Sequence, residues 1–161
     1  MLIAKRLPPI NDYEREVVAN VDQFGWHCTH VSPTEGSSSS LPFTYSVGLY
    51  ASYQQPEFLV IGLDRTRARA IIDDLAGFAR SGNMIPLDQP SDVLPGGLSC
   101  AFVPVPRRRY NDYIFSALWY YAEVDFPLYQ VIWPDDRGYY PWNKDAPADF
   151  ITRQPVLALS E

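Results

Sequence analysis

Positive charge, sulfur and long apolar runs are what this 161-residue chain has little of. Its thirteen Lys and Arg face nineteen Asp and Glu, leaving a net charge of −6, and only Lys5 and Lys144 are lysines. Nucleic acid and anionic membrane both demand a basic face, so neither is expected as the main partner. The two cysteines, Cys28 and Cys100, lie in apolar strand-like runs without CxxC or ligand spacing. They read as free thiols in a reducing compartment rather than as a disulfide. Met1 to Pro9 carries Lys5 and Arg6 with no apolar stretch behind them, so no signal peptide is expected. No apolar run approaches the roughly 20 residues of a membrane span. A cytoplasmic protein is the expectation.

What is present is apolar and aromatic: 47% of the residues are hydrophobic and 14% aromatic, enough for one real core. The length fits one domain that buries roughly two thirds of its unfolded surface. A first helix is predicted from Asp12 to Phe24, capped by Asn11 or Asp12 and stopped by Gly25. Tyr13, Val17, Val21 and Phe24 form its apolar face. Trp26 to Ser32 alternates like a strand, and the polar Gly-Ser run Thr34 to Ser40 reads as a loop. Phe43 to Tyr50 and Phe58 to Leu63 are the clearest strands, and the short link Ala51 to Pro56 makes them an antiparallel pair.

Asp64 caps a helix over Arg65 to Arg80 with a buried stripe of Ala68, Ile71, Ile72, Leu75 and Ala79, and Ser81-Gly82 ends it. After the Pro/Gly-rich passage Pro86 to Gly97, Leu98 to Val105 reads as a strand and Asn111 to Tyr121 as a helix. Leu128 to Trp133 follows as a strand, with a last short one at Val156 to Leu159. That order implies a single α+β domain over residues 1–161, a mostly antiparallel sheet with about three packed helices. Residues 12–142 form its expected core, with 1–9 and 143–161 peripheral.

Chemistry-bearing residues are few. His27, Cys28 and His30 have ligand types, but strand geometry puts His27 and His30 on opposite faces, so no metal site is expected, and no cofactor. His27 is either a hydrogen-bonded histidine at the helix end or a general base. In the next strand Thr44, Ser46 and Gly48 share a small polar face. It suits either a closely approaching ligand or a helix packed on Gly48, and Ser46 lacks the elbow of a nucleophile. Glu57 at a strand mouth could act as an acid if desolvated, or simply be a solvated strand-end carboxylate. Arg107-Arg108-Arg109 and the pair Arg65 and Arg69 could hold an anion or pair with the protein's own carboxylates.

The densest segment is Gln130 to Trp142. Pro134-Asp135-Asp136-Arg137-Gly138 has turn chemistry, and Trp133 and Trp142 bracket it. It is either a rigid corner that closes the sheet or one wall of an aromatic cleft.

The run Phe43-Thr44-Tyr45-Ser46-Val47-Gly48-Leu49, Pro56-Glu57-Phe58, Gly62-Leu63, Gly25-Trp26-His27 and the Gln130 to Trp142 segment together resemble the bacterial domain-of-unknown-function 4262 family. The likeness covers about Tyr13 to Trp142. It implies that Gly25, His27, Tyr45, Gly48, Glu57, Gln130, Trp133, Pro134, Asp135, Gly138 and Trp142 are family-motif positions, and it implies no activity. Ser46-Val47 departs from the threonine-isoleucine expected there. Asn143 stands where a glutamate is expected, which weakens a paired-acid mechanism at that carboxylate.

Three functions remain open. The first is a binding module for a small polar molecule or a protein partner, including an inhibitor or immunity-type role. Its site would be a cleft of Tyr45, Ser46, Gly48, Gln130, Trp133, Arg137 and Trp142. The second is a hydrolase or transferase with His27 as base, Glu57 or Asp135 as its partner, Tyr45 as donor and Arg137 as anion clamp. The third is a structural subunit, for which a homodimer is compatible.

Overall fold

The computed structural model describes residues 7–33, 41–91 and 99–159. Five strands form one sheet: β1 (His27–Val31), β2 (Phe43–Val47), β3 (Glu57–Ile61), β4 (Ala101–Pro104) and β5 (Leu128–Ile132), ordered β1-β2-β3-β5-β4. Three pairings are antiparallel and β3 with β5 is parallel, so the mostly antiparallel α+β domain stands. The pairing of β2 with β3 is antiparallel, as the short link requires.

The helices are α1 (Asp12–Phe24), α2 (Leu49–Tyr53), α3 (Arg65–Arg80), α4 (Tyr110–Tyr113), α5 (Phe115–Tyr121) and α6 (Ala148–Arg153). Asn11 caps α1 through its side chain on Glu14 N–H, Gly25 closes it in the left-handed region, and Asp64 caps α3 on Arg67 N–H. These caps satisfy backbone donors that the first turn of a helix leaves unpaired.

Alternation along the strands makes two cores. On one face α3 lays Ile71, Ile72 and Leu75 against Phe58, Val60, Phe102 and Val131. On the other, Val17 and Val21 of α1 and Ala117 and Tyr121 of α5 pack on Tyr45, Val47, Leu59 and Ile61. Helices therefore cover both faces, and β1 is left as one edge of the sheet.

Four expectations need correction. The strand read through Tyr50 ends at Val47, because Gly48 takes a left-handed φ of 109° and opens α2. The helix read over Asn111 to Tyr121 breaks at Ile114 (φ −104°, ψ 55°) into α4 and α5, while Ile114 stays fully buried. Val156 to Leu159 forms a turn rather than a strand. Nor is the C-terminal segment peripheral, since Phe150, Gln154, Val156 and Leu157 are buried. The loop expected at residues 34–40 and the second half of the passage at 86–97 lie outside the described residues, as does the start of the strand expected at residue 98.

Two buried glutamines fix that tail. Gln154 accepts from Trp133 N–H at 2.9 Å and donates to the Trp133 carbonyl at 2.8 Å, so its amide acts as a strand partner. Gln130 donates to the Pro155 carbonyl at 2.7 Å and accepts from Leu157 N–H at 3.0 Å. The tail thus runs from the α3-side core at Phe150 to the opposite core at Leu157. It crosses the sheet at Gly62, where φ is 92° and a β-carbon would overlap the Arg153 carbonyl oxygen.

Gly62→Ala should therefore cost several kcal/mol, combining a left-handed residue with a backbone clash. Gly138→Ala, at φ 87° with open space around it, should cost only about 1–2 kcal/mol. Urea denaturation of both variants checks this, and equal midpoints would refute the tail's role at Gly62.

Candidate functional site

The register of the first two strands settles which residues meet. Thr29 pairs with Tyr45 and His27 with Val47, while Cys28 and His30 pair with Ser46 and Thr44. By alternation His27, Thr29 and Tyr45 share the α1/α5 face, and Cys28 and His30 take the α3 face.

On the α1/α5 side a cleft of about 610 Å³ follows the β1 edge. Its floor is a cluster of four hydroxyls drawn from four elements. Tyr13 of α1 meets Thr29 of β1 at 2.5 Å and donates to Ser116 of α5 at 3.2 Å. Tyr45 of β2 meets the Ser116 hydroxyl at 2.6 Å and accepts from Ser116 N–H at 3.1 Å. Thr29 and Ser116 close the set at 3.4 Å. Burial raises the Tyr45 pKa against the opposing Ser116 bonds, so its phenol stays protonated. Phe115 and Trp119 complete the aromatic wall, and Phe115 is exposed.

His27 also lines this cleft, with 7% exposure and its ring edge-on to Tyr13. Asn20 bonds its Nδ1 at 2.9 Å. With the Asn20 amide as donor, the neutral ring carries its hydrogen on Nε2, which has no hydrogen-bond partner among the described residues. Desolvation holds the His27 pKa below the ordinary value, opposed by Glu16 and aided by Arg69, so the ring is neutral at pH 7. A second cleft of about 380 Å³ lies behind it, where Arg69, Asp73 and Arg80 of α3 face Glu16 and Asn20 of α1. Cys28 opens onto both clefts with its thiol pKa pushed up to about 11 by burial, so it is no thiolate. Cys100 is fully buried and both cysteines are free. His30 hydrogen-bonds Thr44 at 2.6 Å.

Glu57 does not join His27. It sits two strands away with no exposure. One carboxylate oxygen accepts from Ser46 Oγ at 2.7 Å and Leu49 N–H at 3.2 Å. The other accepts from Gly48 N–H at 3.0 Å, Tyr50 N–H at 3.1 Å and the Tyr121 hydroxyl. Tyr121 in turn accepts from Ala51 N–H at 3.1 Å. Together they satisfy the donors at the start of α2, so Glu57 is a remote helix cap rather than an acid catalyst. Ser46 is held in the same network, accepting from Phe58 N–H at 2.9 Å. Gly48 meets packing rather than a ligand: a β-carbon there would lie 2.9 Å from Val21 Cγ2 and 3.0 Å from the Gly25 carbonyl.

The Trp133–Trp142 corner lines no cleft with Tyr45, because Trp133 packs in the α3-side core and Tyr45 in the opposite one. Trp133 donates its indole N–H to the Ile61 carbonyl at 2.9 Å and stacks edge-on to Phe150. Trp142 is 44% exposed and stacks on Tyr140. Asp135 closes the turn by accepting from Arg137 N–H at 3.0 Å and Tyr139 N–H at 2.8 Å, which leaves no catalytic pairing with His27. The Arg137 side chain is exposed, and Gln130 is occupied by the C-terminal tail. Arg107 lies over the Tyr110 ring and pairs with Asp125 at 3.0 Å, and Arg109 pairs with Asp112 at 2.8 Å.

Of the expected site residues, then, His27 and Tyr45 come together at the β1 edge. Sequence reasoning missed Tyr13, Thr29, Ser116 and Trp119. Tyr13 reads as part of the apolar stripe of α1, yet it is 39% exposed. Ser116 is one polar residue in an apolar helix, which by itself carries no signal.

Fold and cleft define an α+β domain with a hydroxyl-lined pocket along one sheet edge. The chain belongs to the family Domain of unknown function (DUF4262), whose profile matches residues 20–147. No curated protein and no solved structure matches it. No helix among the described residues is long and apolar enough to cross a membrane.

The Glu57 network has a pH signature. Burial raises the Glu57 pKa, outweighing the Tyr121, Ser46 and backbone bonds that lower it. The folded state therefore holds its proton to higher pH than the unfolded chain does. This contribution to stability is fully present below the ordinary glutamate pKa and is lost as pH rises through the raised value. Glu57→Gln should cost about 3 kcal/mol, since an amide hydrogen then faces backbone donors. Its deficit against wild type should narrow as pH rises through that window. Urea midpoints from pH 4 upward check both, and a widening deficit would reverse the sign.

Proposed function

We propose that this protein is a binding module for a small polar molecule, held in the β1-edge cleft. One observation carries the reading: four hydroxyls from α1, β1, β2 and α5 converge on the floor of an aromatic-walled cleft. Beside them stands a buried histidine with one ring nitrogen that has no hydrogen-bond partner among the described residues. Concave, mostly apolar walls with a few convergent polar groups are the general form of small-ligand sites. The site residues are Tyr13, His27, Thr29, Tyr45 and Ser116, with Tyr45 and His27 common to the sequence reading. A hydrolase using His27 with Glu57 or Asp135 has no support from these positions, because neither carboxylate reaches the histidine.

Screening a library of small polar molecules by NMR tests the reading. Shifts should concentrate on Thr29, Tyr45, Ser116 and the Trp119 indole. The double variant Tyr13→Phe, Thr29→Val should weaken a hit roughly 10-fold, at about 0.5–1.5 kcal/mol for each lost hydrogen bond, while its fold is retained. Hits that map to other surfaces, or that ignore the double variant, would sink the proposal.

A further inference from the structure

The hydrogen count in the cluster says what kind of molecule fits. Each hydroxyl brings one hydrogen and two lone pairs. Four contacts join the four hydroxyls, and with each hydroxyl donating once all four hydrogens are engaged within the cluster. Those contacts and Ser116 N–H occupy five of the eight lone pairs and leave three, one each on Tyr13, Thr29 and Tyr45. In that arrangement the floor of the cleft presents acceptors.

Charge points the same way. Glu14 and Glu16 of α1 line the cleft, and no lysine or arginine does among the described residues. Glu14 is held in place by accepting from Ile10 N–H at 3.0 Å. Both histidines on the wall, His27 and His30, have pKa values lowered by desolvation, with Arg69 and Arg65 beyond the lining adding to it, and are neutral at pH 7. Tyr13, Phe115 and Trp119 line the walls, and aromatic rings attract a cation over their faces. An anion would meet the Glu14 and Glu16 carboxylates and the hydroxyl lone pairs.

Resting on the reading of this cleft as the binding site, we propose that its ligand is a small organic cation of the ammonium type. Its N–H groups bond the Tyr13, Thr29 and Tyr45 oxygens, and its charge faces Glu14 and Glu16. The His27 Nε2–H is then a donor for an oxygen elsewhere on the same molecule.

Three probes of equal size and different charge test this on the full-length protein: butylammonium, 1-butanol and butyrate, titrated by NMR at low salt. Butylammonium should give saturable shifts at Thr29, Tyr45, Ser116 and the Trp119 indole, with at least 10-fold weaker binding of butanol and weaker still of butyrate. The double variant Glu14→Gln, Glu16→Gln should bring butylammonium down to the affinity of butanol. A side-chain amide at position 14 keeps an acceptor for Ile10 N–H, so the start of α1 is preserved, and an unchanged unfolding midpoint verifies it. Butanol or butyrate binding in the cleft as well as the amine would overturn the cation inference and leave the cleft standing as a site. Shifts confined to other surfaces, or none with any probe, would overturn both.

Discussion

A carboxylate with no access to water organises this domain. Glu57 opens β3, yet its five hydrogen-bond donors come from β2, Gly48, α2 and α5. Burying such a group is costly, and the cost is tolerable only where its lone pairs are all met. Each donor is therefore a constraint on where its element can lie. Ser46 ties β2 to the start of β3. The N–H groups of Gly48, Leu49 and Tyr50 make the chain leave β2 as a helical turn, which glycine at φ 109° permits. Tyr121 fixes α5 against the same point, so Ser116 on α5 and Tyr45 on β2 are brought into register. The cleft depends on Glu57 without containing it.

Much of the fold is legible in the sequence because burial leaves periodic marks. The stripe Ala68, Ile71, Ile72, Leu75 on α3 and the aromatic, β-branched runs of β2 and β3 are of that kind. What leaves no mark is structure held by distant side chains. Helix α2 has five residues, too few to sustain itself, and forms because Glu57 and Tyr121 satisfy its first turn. The C-terminal tail reads as a loose end since its sequence lacks periodicity. Its order comes from two glutamine amides, and nothing local distinguishes a glutamine that will mimic a strand from one that faces solvent.

The candidate site is half legible for a related reason. His27 and Tyr45 stand out by residue type, and their shared face follows from the antiparallel register of β1 and β2. The Trp133–Trp142 corner stands out more strongly and misleads. Whether Trp133 shares a face with Tyr45 depends on parity carried through two strand pairings, and a single residue of register reverses it. Composition around the corner reflects its job of sealing the end of the sheet: Trp133 holds Ile61 and Phe150, and Asp135 closes the turn. Tyr13 and Ser116 belong to the site only because α1 and α5 are neighbours over β2, a fact of tertiary packing with no local signature.

An edge strand such as β1 must be protected from pairing with other chains, and apolar side chains from α1 and α5 would suffice to cover its face. The chain instead places Tyr13, Thr29, Tyr45 and Ser116 there, each hydrogen-bonded to at least one of the others. Such a cluster adds little to stability over an apolar seal, because its remaining lone pairs must still be hydrated. It does gain preorganisation. Tyr45 is 2% exposed and bonded to both the hydroxyl and the backbone N–H of Ser116, so the acceptors keep their positions whether or not a ligand is present. A donor entering the cleft then displaces water without reordering side chains. That is the condition under which a few hydrogen bonds yield useful affinity for a small molecule.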